Sequence, residues 1–254
     1  MLSLSSQLPL IVARRGARRH APENTLPAFE LALQQGAEAI EMDVQFTADG
    51  ELILMHGVEV NAVSNGSGSI RSHTCEEIRA LDVGSWFDPA FAGLRVPTLA
   101  EALDLLAGRV RLILELKSYT LRSEGMEQLV WAEIERRGLV DMVTVTSFNP
   151  YLLRRLRKLA PDLRLGLMQA TGMPSWSAGA LARWWAAAHD LHLELDFLAP
   201  DLARSLRRPL WLWPVNDEPA LAQALAWQPA ALITDDPAWL RRRLAADPSP
   251  APQP

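Results

Sequence analysis

Cysteine is nearly absent from this chain. The single Cys75 cannot close an internal disulfide, which fits a reducing compartment. Long apolar runs are missing too. The stretch Leu8–Ala13 is too short for a signal-peptide core or a membrane span, and the residues before it carry no basic start. The sequence therefore predicts a cytoplasmic protein with no membrane insertion. There is no excess of positive charge: 25 Lys and Arg stand against 30 Asp and Glu, a net charge of −5, which excludes bulk attraction to nucleic acid. No Gly-x-Gly-x-x-Gly string occurs, so the common dinucleotide-binding fingerprint is missing.

What is present is an ordinary globular composition, 49% hydrophobic and 22% charged over 254 residues. Short β-rich runs alternate with helical patterns. Strands are expected at Leu8–Arg14, Ala39–Phe46, Arg111–Lys117, Val143–Phe148, Leu163–Met168, Leu193–Ala199, Leu210–Val215 and Ala231–Asp235. A further strand at Glu51–His56 follows the Asp49-Gly50 turn signal and completes a hairpin with Ala39–Phe46. Helices are expected between the strands, among them Leu26–Gln35 capped by Asn24 or Thr25, Asn149–Leu159, and a short Asp201–Leu206. Eight βα units in this length favour a closed (β/α)₈ TIM barrel over an open doubly wound sheet. Residues 57–97 form a small insertion after the second strand, with one helix near Cys75–Leu81. Residues 1–247 are read as one domain, and Pro248–Pro254, rich in proline, as a disordered tail.

Several residues carry chemistry. Glu41 and Asp43 lie two apart on a strand and share a face, opposite Ile40, Met42 and Val44. Two carboxylates turned into a barrel are costly unless a cation or protons neutralise them, and an oxygen-rich site suits Mg²⁺ or Ca²⁺. Glu115 and Lys117 share a second strand face. Glu115 is a candidate third ligand and Lys117 a candidate anion contact, and a purely structural ion-pair network is the competing reading. Arg14, Arg15, Arg18 and Arg19 place four guanidinium groups in six residues, either an anion attractor or a solvated basic loop. His56, at the end of its strand, is a candidate acid or base. The remaining histidines, His73, His189 and His192, have no comparable setting and receive no role. Trp211, Trp213 and Val215 are expected on one strand face, where an aromatic ring near the barrel mouth packs on a ligand or simply fills the barrel.

Taken together, these segments resemble the glycerophosphodiester phosphodiesterase family. The matching strings are Val12-Ala13-Arg14-Arg15-Gly16, Ala21-Pro22-Glu23-Asn24-Thr25, Glu41-Met42-Asp43-Val44, Met55-His56, Val96-Pro97-Thr98-Leu99, Glu115-Leu116-Lys117, Trp213-Pro214-Val215-Asn216-Asp217 and Ile233-Thr234-Asp235. The resemblance implies the (β/α)₈ barrel, a divalent cation (Mg²⁺ or Ca²⁺) held by Glu41, Asp43 and Glu115, and phosphate contacts from Arg15 and Lys117, with Trp213 at the substrate. It implies hydrolysis of a small-molecule glycerophosphodiester to sn-glycerol 3-phosphate and an alcohol. It carries no signal for oligomeric state. Members use two histidines as acid and base. Here Arg14 stands where the resemblance expects the first, Gly57 replaces the aspartate after His56, and Pro214 replaces a threonine. A guanidinium does not act as a general base at physiological pH. The catalytic set expected is therefore His56 with Arg14 as a charge stabiliser. The alternative is an impaired pseudoenzyme that binds a phosphodiester or anion through the retained metal and phosphate pocket. His20 is a conceivable substitute base, but nothing in the sequence favours it.

Overall fold

The structure, a computed structural model, describes residues 8–174, 179–198, 206 and 208–246. Its strands are β1 (Leu10–Arg14), β2 (Ala39–Phe46), β3 (Leu52–Leu54), β4 (Arg111–Leu116), β5 (Val143–Ser147), β6 (Arg164–Gln169), β7 (Asp190–Glu194), β8 (Leu210–Trp213) and β9 (Ala231–Thr234). All except β3 pair in parallel, each with the next, and β9 returns to β1, so the sheet closes into an eight-stranded barrel. Between the strands lie α1 (Leu26–Gln34), α2 (Cys75–Arg79), α3 (Leu99–Leu106), α4 (Met126–Arg136), α5 (Pro150–Leu159), α6 (Ala180–Ala186), α7 (Glu218–Leu225) and α8 (Pro237–Ala246). The architecture is the expected TIM barrel.

Strand alternation sorts the side chains into two layers. The outward set, Ile40, Met42, Val44, Leu112, Leu114 and Leu116 among it, packs beneath the helices against residues such as Phe29 and Leu103. The inward set begins with an apolar plug of Val12, Ala39, Ile113, Trp211, Ala231 and Ile233. Towards the C-terminal ends of the strands it turns polar. There the register aligns Arg14 with Glu41, Asp43 with Glu115, Glu115 with Thr146, and Met168 with His192.

β3 runs antiparallel to β2, as the hairpin reading expects, but is shorter, so His56 lies two residues past its end. The segment that follows folds through short turns and α2 around a second core of Ile53, Met55, Val60, Ile70, Ile78, Val83 and Val96. It rejoins the barrel where the Leu54 N–H donates to the Pro97 carbonyl (2.9 Å). Capping boxes at Thr74/Glu77 and Thr98/Glu101 set where α2 and α3 begin.

Two expectations need correction. β7 spans Asp190–Glu194, three residues earlier than the expected Leu193–Ala199, and Leu195–Phe197 is a 3₁₀ turn. The reason is an inner face that is entirely polar: Asp190, His192 and Glu194 alternate with Leu191 and Leu193, so the apolar run of a doubly buried strand is missing. In addition, β8 ends at Trp213, and Val215 packs in the outer layer, not beside Trp211 and Trp213. The expected helix at Asp201–Leu206, apart from Leu206, and the tail from Pro248 lie outside the described residues.

Candidate active site

β1 ends in a turn that only its own residues allow. Arg15 adopts φ 55° and Gly16 φ 81°, and a Cβ on Gly16 would meet the Ala28 carbonyl carbon at 2.7 Å. The turn aims the Arg15 backbone N–H at Glu41 Oε2 (2.9 Å) and carries its guanidinium inward to Asp43 (2.9 Å) and Glu23 (3.1 Å). The Pro22-Glu23-Asn24-Thr25 string, quoted above for the resemblance, proves to be structural support for this site. Thr25 caps α1, accepting from the Ala28 N–H. Asn24, at φ 58°, grips Asp43 twice: its Nδ2 donates to Oδ2 (2.8 Å) and its Oδ1 accepts the Asp43 N–H (3.1 Å). On the other side Lys117 Nζ sits 2.9 Å from Asp43 Oδ1 and is also ion-paired with Glu115.

Glu41, Asp43 and Glu115 are all buried, and each offers one oxygen such that the three lie within 4.8 Å of one another. The carboxylates respond differently to that crowding. Burial and the neighbouring carboxylates of Asp43 and Glu115 push the Glu41 pKa up to about 8. Burial raises Glu115 as well, against the pull of Lys117. Asp43 is equally buried, yet the Lys117 ammonium and the Arg15 guanidinium outweigh that and hold it far below the usual carboxylate range. Two cations thus face three carboxylates, and Arg15 is shared with Glu23. Three carboxyl groups crowded closely enough that two are pushed towards holding protons form an all-oxygen donor set, which fits a hard divalent cation in place of those protons.

These groups border a cavity of about 200 Å³ at the strand ends. Arg14, Arg15, Glu41, Glu115, Lys117, His56 and Trp213 all line it, so seven of the eight sequence-derived site residues meet there, with the buried Asp43 directly behind. Arg14 is looser than Arg15. It lies 3.7 Å from Asp235 and 5.6 Å from the centre of the Trp213 ring. Asn216 holds Asp235 in place, donating to its Oδ2 (2.9 Å) and accepting its N–H (2.8 Å). His56 is half-buried, and burial together with the nearby cations lowers its pKa to about 4, against the pull of Asp43, so the ring is neutral at pH 7. His20 points elsewhere, its Nε2 3.2 Å from Asp236, and is not a wall residue of the cavity.

Sequence reasoning missed three polar residues besides Glu23 and Asn24. Gln45 lies on the Glu41/Asp43 face of β2, and its amide nitrogen donates to the Met55 carbonyl (2.7 Å) and to that of Gly57, fixing the turn that presents His56. The continued period-two alternation from Glu41 was the available signal. Thr146 and His192 line the opposite wall, and misplacement of β7 hid the second. Among the described residues no helix is long and apolar enough to cross a membrane.

Residues 15–239 match the model of the glycerophosphoryl diester phosphodiesterase family. The chain is 34% identical over 236 residues to a glycerophosphodiester phosphodiesterase of Caldanaerobacter subterraneus subsp. tengcongensis, covering 90% of this chain and 94% of the relative. It is 32% identical over 252 residues to one from Bacillus subtilis (strain 168), covering 92% and 86%. Among solved structures, a glycerophosphodiester phosphodiesterase from Agrobacterium tumefaciens superimposes with a TM-score of 0.73 at 31% identity, covering 91% of this chain and 98% of that one. An Oleispira antarctica phosphodiesterase in complex with its product sn-glycerol 3-phosphate gives 0.80 at 25% identity, covering 94% and 97%. With its barrel, its acidic triad and a match running almost from end to end, the chain belongs to the glycerophosphoryl diester phosphodiesterase family.

Proposed function

We propose that this protein hydrolyses glycerophosphodiesters to sn-glycerol 3-phosphate and an alcohol, with a divalent cation, Mg²⁺ or Ca²⁺, held by Glu41, Asp43 and Glu115. The observation that carries the reading is the triad itself: three buried carboxylates, Glu41 and Glu115 lining one cavity and Asp43 directly behind it, with Arg15 and Lys117 locked against them. A cation bound there supplies charge withdrawal from the phosphoryl oxygens and offsets the carboxylates. Arg15 and Lys117 orient the diester phosphate by fixed positive charge, which acts more strongly in a site shielded from water. His56, neutral at pH 7, transfers a proton at one of the oxygens exchanged on phosphorus. Arg14, at the cavity edge, stabilises charge that develops on the phosphoryl group. The names of the relatives support the substrate class.

A second reading rests on Arg14. A guanidinium stacked near Trp213 and facing Asp235 does not exchange protons as a histidine does, which favours an impaired enzyme that binds the diester without turning it over rapidly. The test is release of sn-glycerol 3-phosphate from glycerophosphocholine, with Mg²⁺ or Ca²⁺ and then with chelator. Metal-dependent release that chelator abolishes is the expected result, and Arg14→His should raise it by about 10²–10⁴-fold if a second acid/base group is what limits the rate. Saturable binding of the diester with no release under any metal overturns hydrolysis in favour of the binding-only reading.

A further inference from the structure

One flank of the barrel carries side chains that the cavity does not use. On α5, Tyr151, Arg154 and Lys158 recur at helical spacing, and on α6, which packs beside it, Leu181, Trp184 and Trp185 do the same. Leu181 is 74% exposed and Trp184 69%, with Tyr151 and Trp185 exposed beside them. The three rings form one cluster: the centre of Trp185 lies 6.1 Å from that of Tyr151 and 6.2 Å from that of Trp184. The Arg154 guanidinium sits over the Trp185 ring at 5.5 Å. Adjacent indoles and a leucine left in water are unfavourable, and a contiguous patch of this kind marks a surface that something covers. None of the six residues lines the cavity, so binding a diester does not account for them.

The charge around the cluster indicates what covers it. Between Met142 and His189 six Lys and Arg stand against one acid, Asp162, in a chain whose net charge is −5. Arg155 and Arg164 are paired with Glu127 and Asp190. Arg154 and Lys158 make no ion pair among the described residues, and both share the Tyr151 face of α5. Indole and phenol rings flanked by long cations suit the boundary between lipid headgroups and acyl chains. There the rings bury their carbon surface and keep N–H and O–H in the wet layer, and the cations reach the headgroup phosphates. A second copy of this chain, docked face to face about a two-fold axis, sets Arg154 and Lys158 against their own counterparts. A nucleic acid engages the cations but leaves Leu181, the most exposed of the six, without an apolar partner.

We infer that the α5–α6 face docks on the surface of an anionic lipid bilayer, with Leu181, Trp184 and Trp185 in the headgroup region and Arg154 and Lys158 on lipid phosphates. The contact is peripheral, since α6 is seven residues long and spans nothing. Tyr151 follows Phe148, a wall residue of the cavity, by three positions, so the docked face adjoins the mouth end of the barrel.

The test is flotation of the full chain with vesicles of phosphatidylcholine alone, and of phosphatidylcholine with about one-third phosphatidylglycerol, at low and high salt. The wild type should float with the anionic vesicles, stay in solution with the neutral ones, and dissociate as salt shortens the Debye length. Trp184→Ser and Leu181→Ser should each weaken binding by about ten-fold. Arg154→Gln and Lys158→Gln should each weaken it by about five-fold. Thermal melts check folding, and if any other variant does not fold, Leu181→Ser carries the test. Equal binding to both vesicles, or binding to neither, overturns the inference. Variants that float like the wild type place the contact elsewhere and overturn it as well. Self-association in sedimentation that Trp184→Ser abolishes, with no flotation, assigns the face to a second copy. Binding of an oligonucleotide that the same variants abolish, again with no flotation, assigns it to nucleic acid. Either result overturns the bilayer.

Discussion

The wall of the cavity formed by β1, β2 and β4 and the wall formed by β5, β7 and β8 treat polar groups in opposite ways. On the first, nearly every polar atom is engaged by another fixed group: Asp43 alone receives Asn24, Arg15 and Lys117. On the second, Thr146 Oγ1, His192 Nε2 and the indole nitrogens of Trp211 and Trp213 have no protein partner among the described residues. The first wall is a closed ionic network whose members hold one another in place. Removing any one exposes the charge of the rest in a low dielectric. The second is neutral, so leaving its atoms unpaired costs less than leaving a charge unpaired. The same barrel therefore carries a closed ionic network on one wall and a neutral set of unpaired polar atoms on the other.

The sharpest way to break this comparison is Asp43→Ala. It leaves Arg15 with Glu23 and Lys117 with Glu115 as their remaining partners, and a loss of about 3 kcal/mol in unfolding free energy is expected, together with loss of Mg²⁺ or Ca²⁺ binding. Denaturant titration and metal calorimetry measure the two. Unchanged metal affinity would show that Asp43 is not a ligand and that the network is purely structural. Next in size is Gln45→Leu, which frees the Met55 and Gly57 carbonyls and loosens the turn bearing His56. The kcat should fall by about ten- to a hundred-fold with metal affinity retained. Loss of metal affinity in that variant would mean that Gln45 supports the carboxylates and not the histidine.

The smallest expected effect concerns His192 and runs through pH. In the unfolded chain this side chain takes a proton near pH 6.5, whereas in the fold it stays neutral down to about 3. As pH falls below 6.5 the unfolded state binds the proton first, so stability is complete above that value and declines from there towards pH 3, by up to about 1.4 kcal/mol per unit. His192→Phe should flatten this part of the profile. Denaturant midpoints at pH 7.5 and pH 5 for the two proteins check it, and parallel profiles would mean that His192 is hydrated and not desolvated.

Much of the charged wall was legible in the sequence. The spacing of Glu41 and Asp43, and of Glu115 and Lys117, is a period-two signal set against strongly apolar neighbours, and that signal survives any uncertainty in the strand ends. The neutral wall was not legible. Its strand, β7, turns Asp190, His192 and Glu194 inward, and a buried strand with a polar inner face does not look like one. Asn24 shows a different limit. Its string was recognised, yet nothing local reveals that a left-handed residue before α1 closes two hydrogen bonds on a strand nineteen positions away.

By itself the sequence determined the alternation of strands and helices, the number of barrel units and the inward face of β2 and β4, because these depend on patterns only a few residues long. Tertiary structure alone decided which charges neutralise which, why the pKa of Glu41 is raised while that of Asp43 is held far below the usual range, and which polar atoms are left without a partner. Those outcomes depend on through-space distances between strands far apart in the chain and on the exclusion of water from the space between them, and no local pattern encodes either.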